Sequence, residues 1–78
     1  MTAYVITFPS VYHAFRAKKL LKGEGIPAEL VPVPRELSGS CEGLAAQVSE
    51  EHIEQAVEIL GNRGVAMVQK GVKVLLDN

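Results

Sequence analysis

Apolar residues along this chain alternate between a strand-like period of two and a helix-like period of 3.6, and each change of period marks an element. Tyr4 to Phe8 is a dense apolar run, rich in β-branched and aromatic residues and closed by Pro9, which predicts a buried strand. Ser10 follows as a helix N-cap, its hydroxyl placed to accept from a backbone N–H two or three residues on. Val11, Ala14, Ala17 and Leu21 then fall on one helical face with Phe15 and Leu20 beside them, and Arg16, Lys19 and Lys22 fall on the other. Lys18 interrupts the apolar arc and snorkels out along its stem. Gly23, Gly25 and Pro27 stop this helix. Ala28 to Val33 alternates weakly and contains Pro32, which places it at a sheet edge where a missing N–H costs least. A loop from Pro34 to Glu42 leads to a strand at Leu44 to Val48, with Leu44, Ala46 and Val48 on one face. Ser49 caps a second helix whose opening Glu50 and Glu51 suit the positive end of the helix dipole. Ile53, Ala56, Val57 and Leu60 mark its buried face, and Gly61 to Gly64 end it. Val65 to Val68 reads as a strand, Lys70-Gly71 as a turn, and Val72 to Leu76 as a last short strand or tail.

The order strand, helix, strand, strand, helix, strand, joined by right-handed crossovers, predicts an α+β ferredoxin-like βαββαβ sandwich. Its antiparallel sheet has the spatial order 4-1-3-2, with both helices on one face. At 78 residues the chain is one domain, 1–78, near the lower limit for a single core. The other sheet face is then wet or paired, and the apolar Leu75 and Leu76 favour a homodimer through it.

Charge and composition narrow the partners. The net charge is −1, so nothing argues for nucleic acid. One cysteine excludes an internal disulfide framework and a cysteine-only metal site, and no metal or resident cofactor is expected. A lone thiol favours the cytoplasm. The start of the chain is too short before Pro9 for a signal-peptide apolar region, and no run is long enough to span a membrane.

That cysteine, Cys41, ends a proline-bounded approach to a loop of small residues. The first two strands are parallel in the predicted fold, so the loop after the second emerges at the sheet edge where the first helix begins. Helix N-termini favour anions and acidify thiols nearby. Cys41 is therefore the candidate reactive residue, with Arg35, His13 and Ser10 as candidates for supporting a thiolate. Glu42 opposes them, because a neighbouring carboxylate raises a thiol's pKa. The same residues also admit a plainer reading, with Cys41 a small half-buried hydrophobe, His13 a solvated surface histidine and Arg35 a loop charge. His52, at the start of the second helix, lies at the opposite end of the sheet. The chain lacks Cys-x-x-Cys and a glycine-rich phosphate loop after the first strand.

Phe8-Pro9-Ser10, His13-Ala14, Ala17-x-Lys19-Leu20-Leu21, Gly25-Ile26-Pro27, Pro32-Val33-Pro34-Arg35-Glu36 and Ser40-Cys41 together resemble the selenium/sulfur (Se/S) carrier-like family of small prokaryotic proteins. The resemblance implies a carrier without turnover of its own, holding sulfur or selenium on Cys41 as a persulfide or selenosulfide. Its partners would be donor and acceptor proteins, and Arg35 and His13 stand at matching positions. In the family pattern glycine directly follows the cysteine, whereas here Glu42 precedes Gly43. The alternative is a non-catalytic interaction or regulatory module that pairs through its open sheet face, with Cys41 incidental. A weaker third reading is a redox sensor that forms a Cys41–Cys41 disulfide between copies.

Overall fold

The computed structural model describes residues 2–33 and 43–75. In chain order these form β1 (Thr2–Thr7), α1 (Val11–Gly23), β2 (Glu29–Pro32), β3 (Leu44–Val48), α2 (Glu50–Asn62) and β4 (Gln69–Leu75). The strands make one antiparallel sheet in the order β2-β3-β1-β4, which is the expected 4-1-3-2 order read from the other edge. Strand β3 is antiparallel to both β1 and β2, so β1 and β2 run the same way and finish at one end of the sheet. The fold is the α+β ferredoxin-like arrangement that the element order predicts.

Both helices pack on one face. Ile6, Ala46 and Val48 from the sheet share a core with Ala14, Ala17 and Leu21 of α1 and Ile53, Ala56 and Leu60 of α2. Ala14, Ala17, Ala46 and Ala56 are fully buried, and their small size lets the helices lie close against the strands. The face away from the helices carries a second cluster of Ala3, Val5, Ala45 and Val74, flanked by Val31, Val33 and Val72. Its four central residues are at most 9% exposed within a single copy, so this face has less apolar surface to share than alternation alone implies. Leu75 does not belong to it. It alternates with Val74, and so lies on the helix-bearing face, where it is 80% exposed. Leu76 lies outside the described residues.

The two helices end in the same way. After α1, the Gly25 N–H donates to the Lys22 carbonyl and the Ile26 N–H to the Leu21 carbonyl, at 3.1 and 2.9 Å. After α2, the Gly64 N–H donates to Gly61 and the Val65 N–H to Leu60, at 3.2 and 2.9 Å. Gly25 and Gly64 take the left-handed conformation that this Schellman closure needs, and Ile26 and Val65 are the buried residues that seal it. The strand expected at Val65–Val68 is therefore a connection, because Val65 is apolar in order to seal a helix end.

The last strand instead runs through the expected Lys70-Gly71 turn. Val5 pairs with Val72 and Ile6 with Lys70, which leaves Gly71 as the extra residue of a β-bulge. Gly71 has φ +91°, and a Cβ there would stand 3.0 Å from Cγ1 of Ile53. Gly71→Ala is expected to cost about 1–3 kcal/mol from the left-handed backbone alone. The midpoint of urea unfolding reads this, and an unshifted midpoint would mean that the bulge is absent.

Candidate functional site

The end of the sheet where β1 and β2 finish is held together by short contacts. At the β1 terminus, Thr7 is fully buried, and its Oγ1 accepts from the Gln69 N–H at 3.0 Å and donates to Gln69 Oε1 at 3.1 Å. The Thr7 carbonyl accepts from the Val68 N–H at 2.8 Å. Phe8 then drops into the core, 1% exposed, and fixes where Pro9 and Ser10 hand the chain to α1.

Past the end of β2, the Val33 N–H donates to the Gly43 carbonyl at 3.2 Å, so both ends of the 34–42 segment meet. Gly43 has φ +101°, and a Cβ built on it would lie 2.5 Å from Cγ2 of Val11. The backbone at Gly43 thus rests directly on the first residue of α1. Only glycine allows both that conformation and that approach.

Two of the sequence-predicted site residues come together here. Ser10 has the extended backbone of an N-cap residue, with φ −154° and ψ 162°, but its hydroxyl makes no cap hydrogen bond. The hydroxyl instead pairs with Nδ1 of His13 at 2.7 Å. The ring of Tyr12 stands edge-on to that imidazole at a centroid distance of 5.5 Å. Ser49 departs from the expected cap in the same way, with Oγ 2.9 Å from Nδ1 of His52. In both helices a histidine three residues on captures the hydroxyl that would otherwise take a backbone N–H. The repeated Ser-x-x-His spacing carries that signal in the sequence. His52 lies where β3 ends, at the opposite end of the sheet, as expected. Cys41, Arg35 and Glu42 lie outside the described residues.

The two helix starts differ in charge. The first turn of α2 contains Glu50 and Glu51, whereas that of α1 contains no acidic residue. The N–H groups and dipole at the α1 start therefore have no carboxylate from their own turn, and an anion at that point would be stabilised. Among the described residues, no group of three or more His, Cys, Asp or Glu is placed to hold a metal ion. Among the same residues, no helix is long and apolar enough to cross a membrane.

A family model described as "Putative Se/S carrier protein-like" matches residues 3–69. The chain belongs to this family. The match runs from β1 to the first residue of β4 and takes in the Cys41 segment, so the fold and the cysteine fall under one family assignment. No curated protein and no solved structure matches the chain.

Proposed function

We propose that this Se/S carrier-like protein carries one sulfur or selenium atom on Cys41 and passes it between proteins. The observation that carries this reading is the seat of Gly43 on Val11 at the start of α1. Cys41 is two residues along the chain from Gly43, and two residues span no more than about 7 Å. On this reading the chain's only thiol stands beside a helix N-terminus whose first turn supplies no carboxylate. Such a position stabilises a thiolate, and equally the anion of a persulfide or selenosulfide. Ser10 and His13, paired with each other, add a polar flank, and Arg35 adds a cation to the same segment.

The transfer needs no resident cofactor. The Cys41 thiolate attacks the terminal sulfur of a donor's persulfide. A new S–S bond forms, the donor's S–S bond breaks, and the donor leaves as a thiolate. Cys41 then holds the sulfane sulfur with its proton. A thiolate on the acceptor repeats the step at the same terminal atom, and Cys41 departs as the thiolate. No net oxidation occurs, because the sulfur moves at the oxidation level at which it arrived. Selenium in a selenosulfide follows the same balance.

Incubation with a cysteine desulfurase and cysteine, without added reductant, followed by intact mass measurement, tests the reading. The expected result is a gain of one sulfur on the wild-type chain and none on Cys41→Ser. The absence of any Cys41-dependent gain would sink the proposal.

A further inference from the structure

α1 directs its core face inward through Ala14, Ala17 and Leu21, all fully buried. Directly opposite, at helical spacing, stand Tyr12, Phe15, Arg16 and Lys19, which with Leu20 line one shallow groove. Tyr12 is 69% and Phe15 56% exposed, and Val11 beside them is 41% exposed. Single exposed hydrophobes are ordinary on a soluble protein, but two exposed aromatic rings one turn apart on one helix are not explained by the fold. Aromatic rings with arginine are the residue types that dominate protein interfaces. Arg16 is also held in place, since its Nη2 donates to the Arg63 carbonyl at 3.3 Å, which lowers the entropy lost on binding.

We propose that this face of α1 is the docking surface for a partner protein that presents carboxylates around an apolar recess. Charge complementarity selects that occupant. The exposed groups around the rings are Arg16, Lys18, Lys19 and Lys22, and α1 contains no acidic residue. A second copy of the chain fits poorly. Pairing α1 with its own copy sets Arg16 and Lys19 against like charges. Pairing α1 with α2 of another copy meets Glu50, Glu51, Glu54 and Glu58, but no large exposed hydrophobe is found on α2 to receive the rings. Nucleic acid is disfavoured by the net charge of −1 and by the acidic helix packed beside α1. The surface begins at Val11, the residue on which Gly43 rests, so a partner seated there lies beside Gly43, two residues along the chain from Cys41. On the carrier reading, on which only this last assignment rests, that partner is the donor or acceptor of the chalcogen.

The test is site-specific photo-crosslinking with benzoylphenylalanine at Phe15 in the full chain, expressed in its own cell, with Gln55 on α2 as the control position. Crosslinked peptides are identified by mass spectrometry, and the partner is purified for titration. The expected result is a crosslink from position 15 and not from 55, to a protein segment flanked by Asp or Glu. Binding should weaken at least tenfold with R16E/K19E, weaken with added salt, and recover when the partner's carboxylates are changed to lysine. Crosslinks to nucleic acid or to a second copy, equal crosslinking from position 55, no crosslink, or binding unchanged by R16E/K19E would each overturn the proposal. Cys41→Ser keeps the two readings apart, because docking should survive it. A partner that binds through α1 but neither loads nor unloads Cys41 would remove its assignment as donor or acceptor and leave the docking surface standing, whereas loss of the Cys41-dependent mass gain alone would remove the carrier reading.

Discussion

Phe8→Ala is expected to remove a large share of the protein's stability. Among the described residues Phe8 is the largest fully buried side chain, and it belongs to the core shared by sheet and helices. Truncating a buried phenylalanine costs about 3–5 kcal/mol, the lost transfer energy plus the cavity left behind. A domain of 78 residues has only about 4–12 kcal/mol to lose, by the usual stability per residue. The effect reaches the site as well, because Phe8 fixes the point where β1 hands over to Pro9, Ser10 and α1. Urea unfolding followed by circular dichroism measures the loss, with Tyr12→Ala as the exposed control, expected within about 0.5 kcal/mol of wild type. Similar midpoints for the two variants would show that Phe8 is not a core residue.

Gly43→Ala is the second large effect, and it separates strain from crowding. An alanine at φ +101° carries a backbone penalty of about 1–3 kcal/mol. Its Cβ would also stand 2.5 Å from Cγ2 of Val11, so α1 or the end of the 34–42 segment must shift. Val11→Ala in the same chain removes the crowded methyl groups but leaves the backbone strain. The double variant should therefore recover part of the stability and not all of it, a coupling that a double-mutant cycle measures. The thiol supplies the functional readout. A helix N-terminus favours the thiolate, so the apparent pKa of Cys41 from alkylation rates should lie below the free-cysteine value of about 8.5. Moving the Gly43 anchor off Val11 should raise it toward that value. An alkylation profile identical in wild type and Gly43→Ala would mean that α1 does not influence the thiol.

Most of the fold was legible because its signals are local. Leu44–Val48 is bounded by Gly43 and Ser49, and its alternation survives intact as β3. Ser10 and Ser49 mark both helix starts, and Pro32 correctly selects β2 as an edge strand. The failure at the C-terminal strand has two physical origins. Glycine at a bulge and glycine in a turn look alike in sequence, so Lys70-Gly71 reads as a break although the ladder continues through it. Val65, meanwhile, resembles the start of a strand because sealing a helix end and packing in a sheet both call for a β-branched apolar residue.

The surroundings of the candidate site were legible in part. Strand direction puts the ends of β1 and β2 together, and the joined Val33 and Gly43, which flank the 34–42 segment, lie at that end. The Ser10–His13 bond was not anticipated, since each residue was weighed separately although the spacing that joins them is short. The close approach of Gly43 to Val11 depends on the packing of a loop end against a helix, and no local pattern encodes it.

The two edges of the sheet bear on how the protein behaves when crowded. An exposed strand edge invites another chain to add to it, the route to strand-swapped polymers and fibrils. On β2, the Val33 N–H points inward to Gly43, so two-residue alternation turns the ring nitrogen of Pro32 outward, where it has no proton to offer. On β4, the Gly71 bulge breaks the regular spacing that an added strand would need, and Lys70 and Lys73 place charge along it. Each edge thus resists templating by a different means. Among the described residues the sheet ends after four strands, with neither edge offering the regular row of backbone groups on which another chain could grow.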